Sequence, residues 1–141
     1  MADNIRLEVV TPEKILASED AEIVMAPGTL GEFGVLSGHT PFLTTLKLGT
    51  VRYKDAKGDE RCIFISGGFA EALPDKVTIL AETAERRCDI DLDRAKSALD
   101  RARKRIQKEA TDDMDYTRAK SALDRALQRI KLSESRQRRA S

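Results

Sequence analysis

The sequence predicts an α+β protein, an N-terminal antiparallel β-sandwich followed by a C-terminal antiparallel α-helical hairpin. Three observations carry this. Up to Glu82 the apolar residues fall in short alternating runs broken by glycine, proline and acidic turns, the mark of half-buried strands. After Arg87 the apolar spacing changes to alternating threes and fours, which belongs to helices. Finally, Arg94-Ala95-Lys96-Ser97-Ala98-Leu99-Asp100-Arg101-Ala102 recurs unchanged as Arg118-Ala119-Lys120-Ser121-Ala122-Leu123-Asp124-Arg125-Ala126, so one helix is written twice.

The elements follow in order. Ile5-Arg6-Leu7-Glu8-Val9 alternates strictly and reads as a first strand; Glu22-Ile23-Val24-Met25 follows an acidic turn. Val51-Arg52-Tyr53 leads into the turn Asp55-Ala56-Lys57-Gly58-Asp59. Further strands are expected at Phe42–Lys47, Arg61–Ser66, Phe69–Leu73 and Lys76–Ala81, punctuated by Gly67-Gly68 and Pro74-Asp75. Many short strands with no helical period between them indicate a sandwich or barrel. Gly28, Gly31, Gly34, Gly38, Gly49 and Gly58 read as turn markers rather than a nucleotide cradle.

In the helical part, Leu92, Ala95, Leu99, Ala102 and Ile106 form a seam, and Tyr116, Ala119, Leu123, Ala126 and Ile130 repeat it. Alternation of large residues with alanine predicts close helix approach over a thin apolar contact, and so a hairpin able to open. Asp89 or Asp91 is placed to cap the first helix and Asp112 or Asp113 the second. Ala110-Thr111-Asp112-Asp113 leaves room for a turn, which favours antiparallel neighbours. The expected divisions are a sandwich domain over residues 1–86, a regulatory hairpin over 87–133 and a frayed basic tail over 134–141.

The net charge of +1 hides two opposed halves: residues 1–85 hold eight Lys/Arg against 14 Asp/Glu, and residues 86–141 hold 17 against 10. Such asymmetry points to docking against other macromolecules. Arg94, Arg101 and Arg105 form a stripe on the first helix, and Arg118, Arg125 and Arg129 one on the second. An antiparallel pair of identical helices is related by a pseudo-twofold axis perpendicular to the hairpin plane, so both stripes emerge on one face. Arginine forks suit phosphate or carboxylate. Without tryptophan or interleaved aromatics, nucleic acid is not indicated.

No catalytic constellation is legible. His39 is the sole histidine, without a nucleophile motif beside it, and reads as a turn histidine bonded to backbone; Gly-Lys-Ser/Thr is absent. Cys62 and Cys88 are isolated, which indicates reduced thiols rather than a metal or redox pair. The N-terminus lacks a secretory pattern and no apolar run approaches the roughly 18 residues of a membrane span, so any membrane association is expected to be indirect. The residues read as a non-enzymatic binding or regulatory chain.

Gly31-Glu32-Phe33-Gly34-Val35-Leu36-Ser37-Gly38-His39-Thr40-Pro41 closely resembles the signature of the epsilon subunit of bacterial F-type ATP synthase, as does Ile65-Ser66-Gly67-Gly68-Phe69-Ala70-Glu71. Leu7-Glu8-Val9-Val10-Thr11-Pro12-Glu13 and Val77-Thr78-Ile79-Leu80-Ala81-Glu82-Thr83-Ala84 resemble the same family in the same order. The resemblance implies a sandwich of about ten strands followed by the hairpin. It also implies a non-catalytic rotor subunit of the central stalk, coupling proton flow to ATP synthesis on the cytoplasmic face of the bacterial plasma membrane. Its implied partners are the gamma subunit, the c-subunit ring and the alpha/beta catalytic head, with Glu32 and His39 as c-ring or gamma interface residues. In the family the hairpin folds back or extends toward the head and impedes ATP hydrolysis.

Some members bind ATP in the folded form through a motif resembling Ile90-Asp91-Leu92-Asp93-Arg94-Ala95. On that resemblance Glu85, Ile90, Asp91, Arg94, Ala95, Arg101, Arg125 and Arg129 are the candidate ATP-binding residues, with ATP a regulatory ligand and no cofactor required. The competing reading is a stand-alone adaptor or nucleotide-binding module unconnected to a rotary motor.

Overall fold

The structure is a computed structural model that describes residues 3–108 and 113–138. Nine strands, β1 (Ile5–Val10), β2 (Ile15–Gly28), β3 (Gly31–Val35), β4 (Phe42–Leu46), β5 (Gly49–Asp55), β6 (Glu60–Ile65), β7 (Gly68–Leu73), β8 (Lys76–Ala81) and β9 (Ala84–Arg86), precede a 3-10 turn at Arg87–Asp89. Helices α1 (Leu92–Lys108) and α2 (Asp113–Arg138) follow. The chain divides into two compact units, Met1–Arg87 and Cys88–Ala140.

The strands build the expected sandwich around β2. Its first half pairs with β1 through Ala21; past an irregularity between Ala21 and Ile23 its second half pairs with β5 on one side and β3 on the other. One layer is therefore β2–β1–β8–β7–β4 and the other β3–β2–β5–β6–β9. Counting β2 in both layers gives ten strand segments from nine strands. Every pairing is antiparallel except β1 with β8, which is parallel, so the antiparallel expectation holds for the sheet with that one correction.

Besides one-residue shifts at β1, β4, β6 and β7, a longer β5 and an unexpected β9, two differences bear on the site. β2 is 14 residues long, not four, because Ser18, Glu19 and Asp20 are strand residues paired to β1, not an acidic turn. Gly31–Val35 forms β3 instead of a turn. Gly34 is a strand position whose missing side chain makes room for Met25, since a Cβ there would stand 2.8 Å from the Met25 Sδ.

The core lies between the layers. Ile5, Leu7 and Val9 of β1, Val77 and Ile79 of β8, Ala70 and Ala72 of β7, Val24 and Ala26 of β2, Val51 of β5 and Ile63 and Ile65 of β6 are all essentially inaccessible. Alternation along each strand puts these residues on one side. At the β5–β6 turn Gly58 takes φ +86°, a conformation that favours glycine. The buried Asp55 carboxylate accepts from the Lys57 and Asp59 backbone N–H groups at 3.0 and 2.9 Å and from the Arg61 Nε at 3.1 Å. Burial works against its ionisation, but the Asp59 N–H, the Arg61 guanidinium and the Lys57 N–H outweigh it and hold the carboxyl below the usual range.

α1 packs along α2 as a hairpin. Asp91 is the N-cap of α1, its Oδ1 accepting from the Arg94 N–H at 3.1 Å while its carbonyl accepts from Ala95 at 3.0 Å. Asp112 and most of the connecting turn lie outside the described residues. The basic stretch from Glu134, expected to fray, continues α2 as far as Arg138; it contains good helix formers and no glycine or proline. Ser135 there bonds its hydroxyl to the Leu132 carbonyl at 2.7 Å. Residues 139–141 of the expected tail lie outside the described residues.

Candidate functional site

The register of the first layer lines up three rows on its outer face. The first runs Ile15–Val10–Leu80–Phe69–Thr45 across β2, β1, β8, β7 and β4. Ile15 is 66% exposed, Leu80 and Phe69 52% each, and Leu43, one step along β4, 72%. A shallow depression of about 360 Å³ opens beside this row, lined by Val10, Pro12, Phe69, Leu80 and neighbours. The next rows are polar on β2, β1 and β8, and give way to Leu73 on β7 and Leu43 on β4. Arg6 pairs with Asp20 at 3.4 Å and donates to the Ser18 hydroxyl at 2.8 Å, and Lys76 pairs with Glu8 at 3.3 Å. One end of the face is thus a neutralised charge ladder and the other an open apolar strip, the kind of patch that marks an interaction surface.

Glu32 stands on β3 at the rim of the other layer. Its Oε1 is 2.5 Å from an Arg52 guanidinium nitrogen of β5, and both side chains are 46% exposed. Leu30, two residues before it in the β2–β3 turn, is fully exposed. His39 follows β3 in a turn where its backbone N–H reaches the Leu36 carbonyl at 3.3 Å. Its ring meets Phe42 edge to face at 5.4 Å, and Phe42 meets Phe33 at 5.2 Å. The imidazole Nε2 is buried without a hydrogen-bond partner, so the ring is held by aromatic packing and only the main chain follows the expected bonding. Phe33 and Glu32 alternate across β3, so the two expected interface residues belong to different faces.

The hairpin is two-faced. Ala95, Ala102, Ala119 and Ala126 are at most 4% exposed, and Ala95 with Ala126, like Ala102 with Ala119, stand equally far from the turn. The large seam residues are less covered than these alanines. Leu92, Leu99, Ile106, Leu123 and Ile130 are only half-buried, and Tyr116 is 47% exposed. At about 100° per residue, Leu92 lies about 60° to one side of Ala95 and Arg94 about 100° to the other. Alanines therefore form the contact, the large seam residues one face, and arginines the opposite face, which on α2 also carries the buried Leu132. The 43% exposed Leu127 shares the apolar face by the same count.

Arg94, Arg101, Arg105 and Arg118 are exposed, while Arg125 and Arg129 are half-buried. Of the candidate ATP residues, Asp91, Arg94 and Arg101 share the start and flank of α1, and Arg125 and Arg129 the matching flank of α2. Ile90 and Ala95 are buried. One Asp91 oxygen is committed to the cap. Glu85 lies in the sandwich unit, on β9 opposite Phe64. On the surface of α1, Lys104 pairs with Asp100 one turn earlier at 3.2 Å.

The apolar row is not apparent from sequence although doublets carry it: Val9-Val10, Ile79-Leu80 and Phe69-Ala70 place an apolar side chain on both faces of a strand. Recognising one row requires knowing which strands are neighbours, and that is non-local.

These faces define a protein in two parts, a sandwich with an apolar outer strip and a hairpin with an arginine face. Residues 4–87 match the family model described as the ATP synthase delta/epsilon chain β-sandwich domain, and residues 89–134 the long α-helix domain of the same chain. An ATP synthase epsilon chain of Desulfatibacillum aliphaticivorans is 65% identical over 109 residues, 77% of each chain. One of Desulforapulum autotrophicum is 62% identical over 110 residues, 78% of this chain and 82% of the relative. A chain from the Euglena gracilis mitochondrial ATP synthase structure of OSCP, F1 and c-ring superposes with TM-score 0.77 at 25% identity, covering 88% of this chain and 78% of that one. The chain belongs to the ATP synthase delta/epsilon family, and its relatives place it among the bacterial epsilon chains.

Proposed function

We propose that this chain is a non-catalytic rotor subunit of a proton-translocating ATP synthase at the cytoplasmic face of the plasma membrane. The sandwich docks on the gamma subunit through the Val10, Phe69 and Leu80 strip and on the c-ring through the rim that carries Glu32. The observation that carries the reading is that strip, apolar, aligned by register across four strands and left open beside the Arg6–Asp20 and Lys76–Glu8 pairs. His39 packs on Phe42, which in turn meets Phe33 of β3, and so braces the turn that follows the rim. Membrane association is then indirect; no described helix is long and apolar enough to cross a bilayer.

The hairpin is the brake on ATP hydrolysis. Its alanine contact is thin and its apolar face incompletely covered, so a fold-back and an extended form differ little in free energy. In the extended form the arginine face meets acidic segments of the catalytic head. In the folded form the same arginines, with Asp91, bind ATP as a regulatory ligand. A ligand shifts such an equilibrium only by its difference in affinity for the two forms, and ATP here competes with the head for one face.

The deciding experiment compares the full chain with one ending at Cys88 on the cognate ATPase. The shortened chain is expected to restore coupling without inhibiting hydrolysis, whereas equal inhibition by both would remove the brake. For the ligand, the isolated chain is expected to bind ATP saturably without magnesium, weakened by Arg94→Ala or Arg125→Ala. Absence of binding at millimolar ATP would remove the sensing role.

A further inference from the structure

The Glu32 carboxylate is held by a small device that spans three strands. β2 lies between β3 and β5, so Glu32 and Arg52 stand two strand spacings apart, roughly 9.5 Å of sheet. Met25 of β2 is the register partner of both Arg52 and Gly34. Its thioether occupies the space a side chain at Gly34 would fill, so it lies toward β3. That leaves a low path across β2, over which the Arg52 guanidinium reaches the Glu32 Oε1 at 2.5 Å. No second partner of Glu32 is found among the described residues, and Oε1 is the oxygen that Arg52 takes. The other carboxylate oxygen remains an acceptor at the rim, next to the fully exposed Leu30.

Resting on the reading that this rim docks, the geometry points to Arg52 as a positioning residue. It fixes the rotamer of Glu32 so that the free oxygen faces a cationic or N–H-bearing loop of the partner. Arg52 does not itself meet that loop, and its own charge makes it unsuitable to. Half-exposed ion pairs contribute little to folding, so the value of this pair lies in the orientation it imposes before docking.

The test is titration of the full chain onto complexes stripped of it, reading half-saturation together with recovered ATP-driven proton pumping. Glu32→Gln is expected to weaken half-saturation about tenfold, the order of one charge-assisted hydrogen bond. Arg52→Gln is expected to weaken it about two- to fivefold, in keeping with a half-exposed pair. The double variant should be no weaker than Glu32→Gln alone, because Arg52 acts through Glu32. The exchanged pair Glu32→Arg with Arg52→Glu keeps an ion pair across β2 but turns a cation to the partner, so it should bind no better than Glu32→Gln. Recovery of docking by the exchanged pair, multiplied losses in the double variant, or an unaffected Arg52→Gln beside a weakened Glu32→Gln would each overturn the positioning role alone. Unchanged binding by Glu32→Gln would overturn the role of the rim and this inference with it. Phe69→Ser, measured in parallel, separates that result from failure of the apolar strip.

Discussion

The sandwich and the hairpin solve the same problem with opposite means. In the sandwich, isoleucine, leucine and valine from six strands lose essentially all contact with solvent, and the β5–β6 turn bonds every oxygen of its buried carboxylate. In the repeated seam of the hairpin the residues that vanish from solvent are alanines, while the seam leucines and isoleucines stay half-covered to one side; the buried Leu132 lies beyond the seam. A methyl group buries a fraction of the area of a leucine side chain, and the hydrophobic gain scales with area. The sandwich therefore carries its stability internally, and the hairpin leaves part of its own to whatever covers its apolar face.

The largest effect that would sharpen this contrast is Leu7→Ala. It opens a cavity in a core with no solvent access and is expected to cost about 2–5 kcal/mol, read as a lower denaturant midpoint for loss of β structure. Next comes Ala102→Leu, which forces a large side chain into the alanine contact at about 1–3 kcal/mol. Its cost should appear as hairpin opening, seen by a distance probe between α1 and α2, while the sandwich midpoint stays put. A sandwich that melts with the hairpin would break the comparison. The smallest effect is acid sensitivity at Asp55. Its folded pKa lies below the unfolded value near 3.8, so its contribution is complete above that value and is lost as pH falls through the folded one. Asp55→Asn should flatten stability against pH below about 4 and leave the slope above it unchanged.

How much of this was legible depended on how local each signal was. β8 was readable to both ends, Lys76–Ala81, because its alternation and the Pro74-Asp75 turn are contiguous in sequence. β2 was read at less than a third of its length because its outward Ser18 and Asp20 look like a turn until Arg6 of β1 is set beside them. Gly34 read as a turn residue for the same reason, since the Met25 side chain that needs its space comes from another strand. The hairpin and its arginine stripes were legible through the repeat. The spacing of the seam left open whether alanine or leucine faces the other helix. Glu32 and His39 came from family resemblance, and composition could not have found Arg52 at all.

β2 has one more consequence. Being hydrogen-bonded into both layers, it is a single load path through the sandwich. A twisting force applied at the Leu30 and Glu32 rim reaches the Phe69 and Leu80 strip along backbone bonds, where two layers joined only by side chains would slip. A body braced in this way resists twisting as one piece.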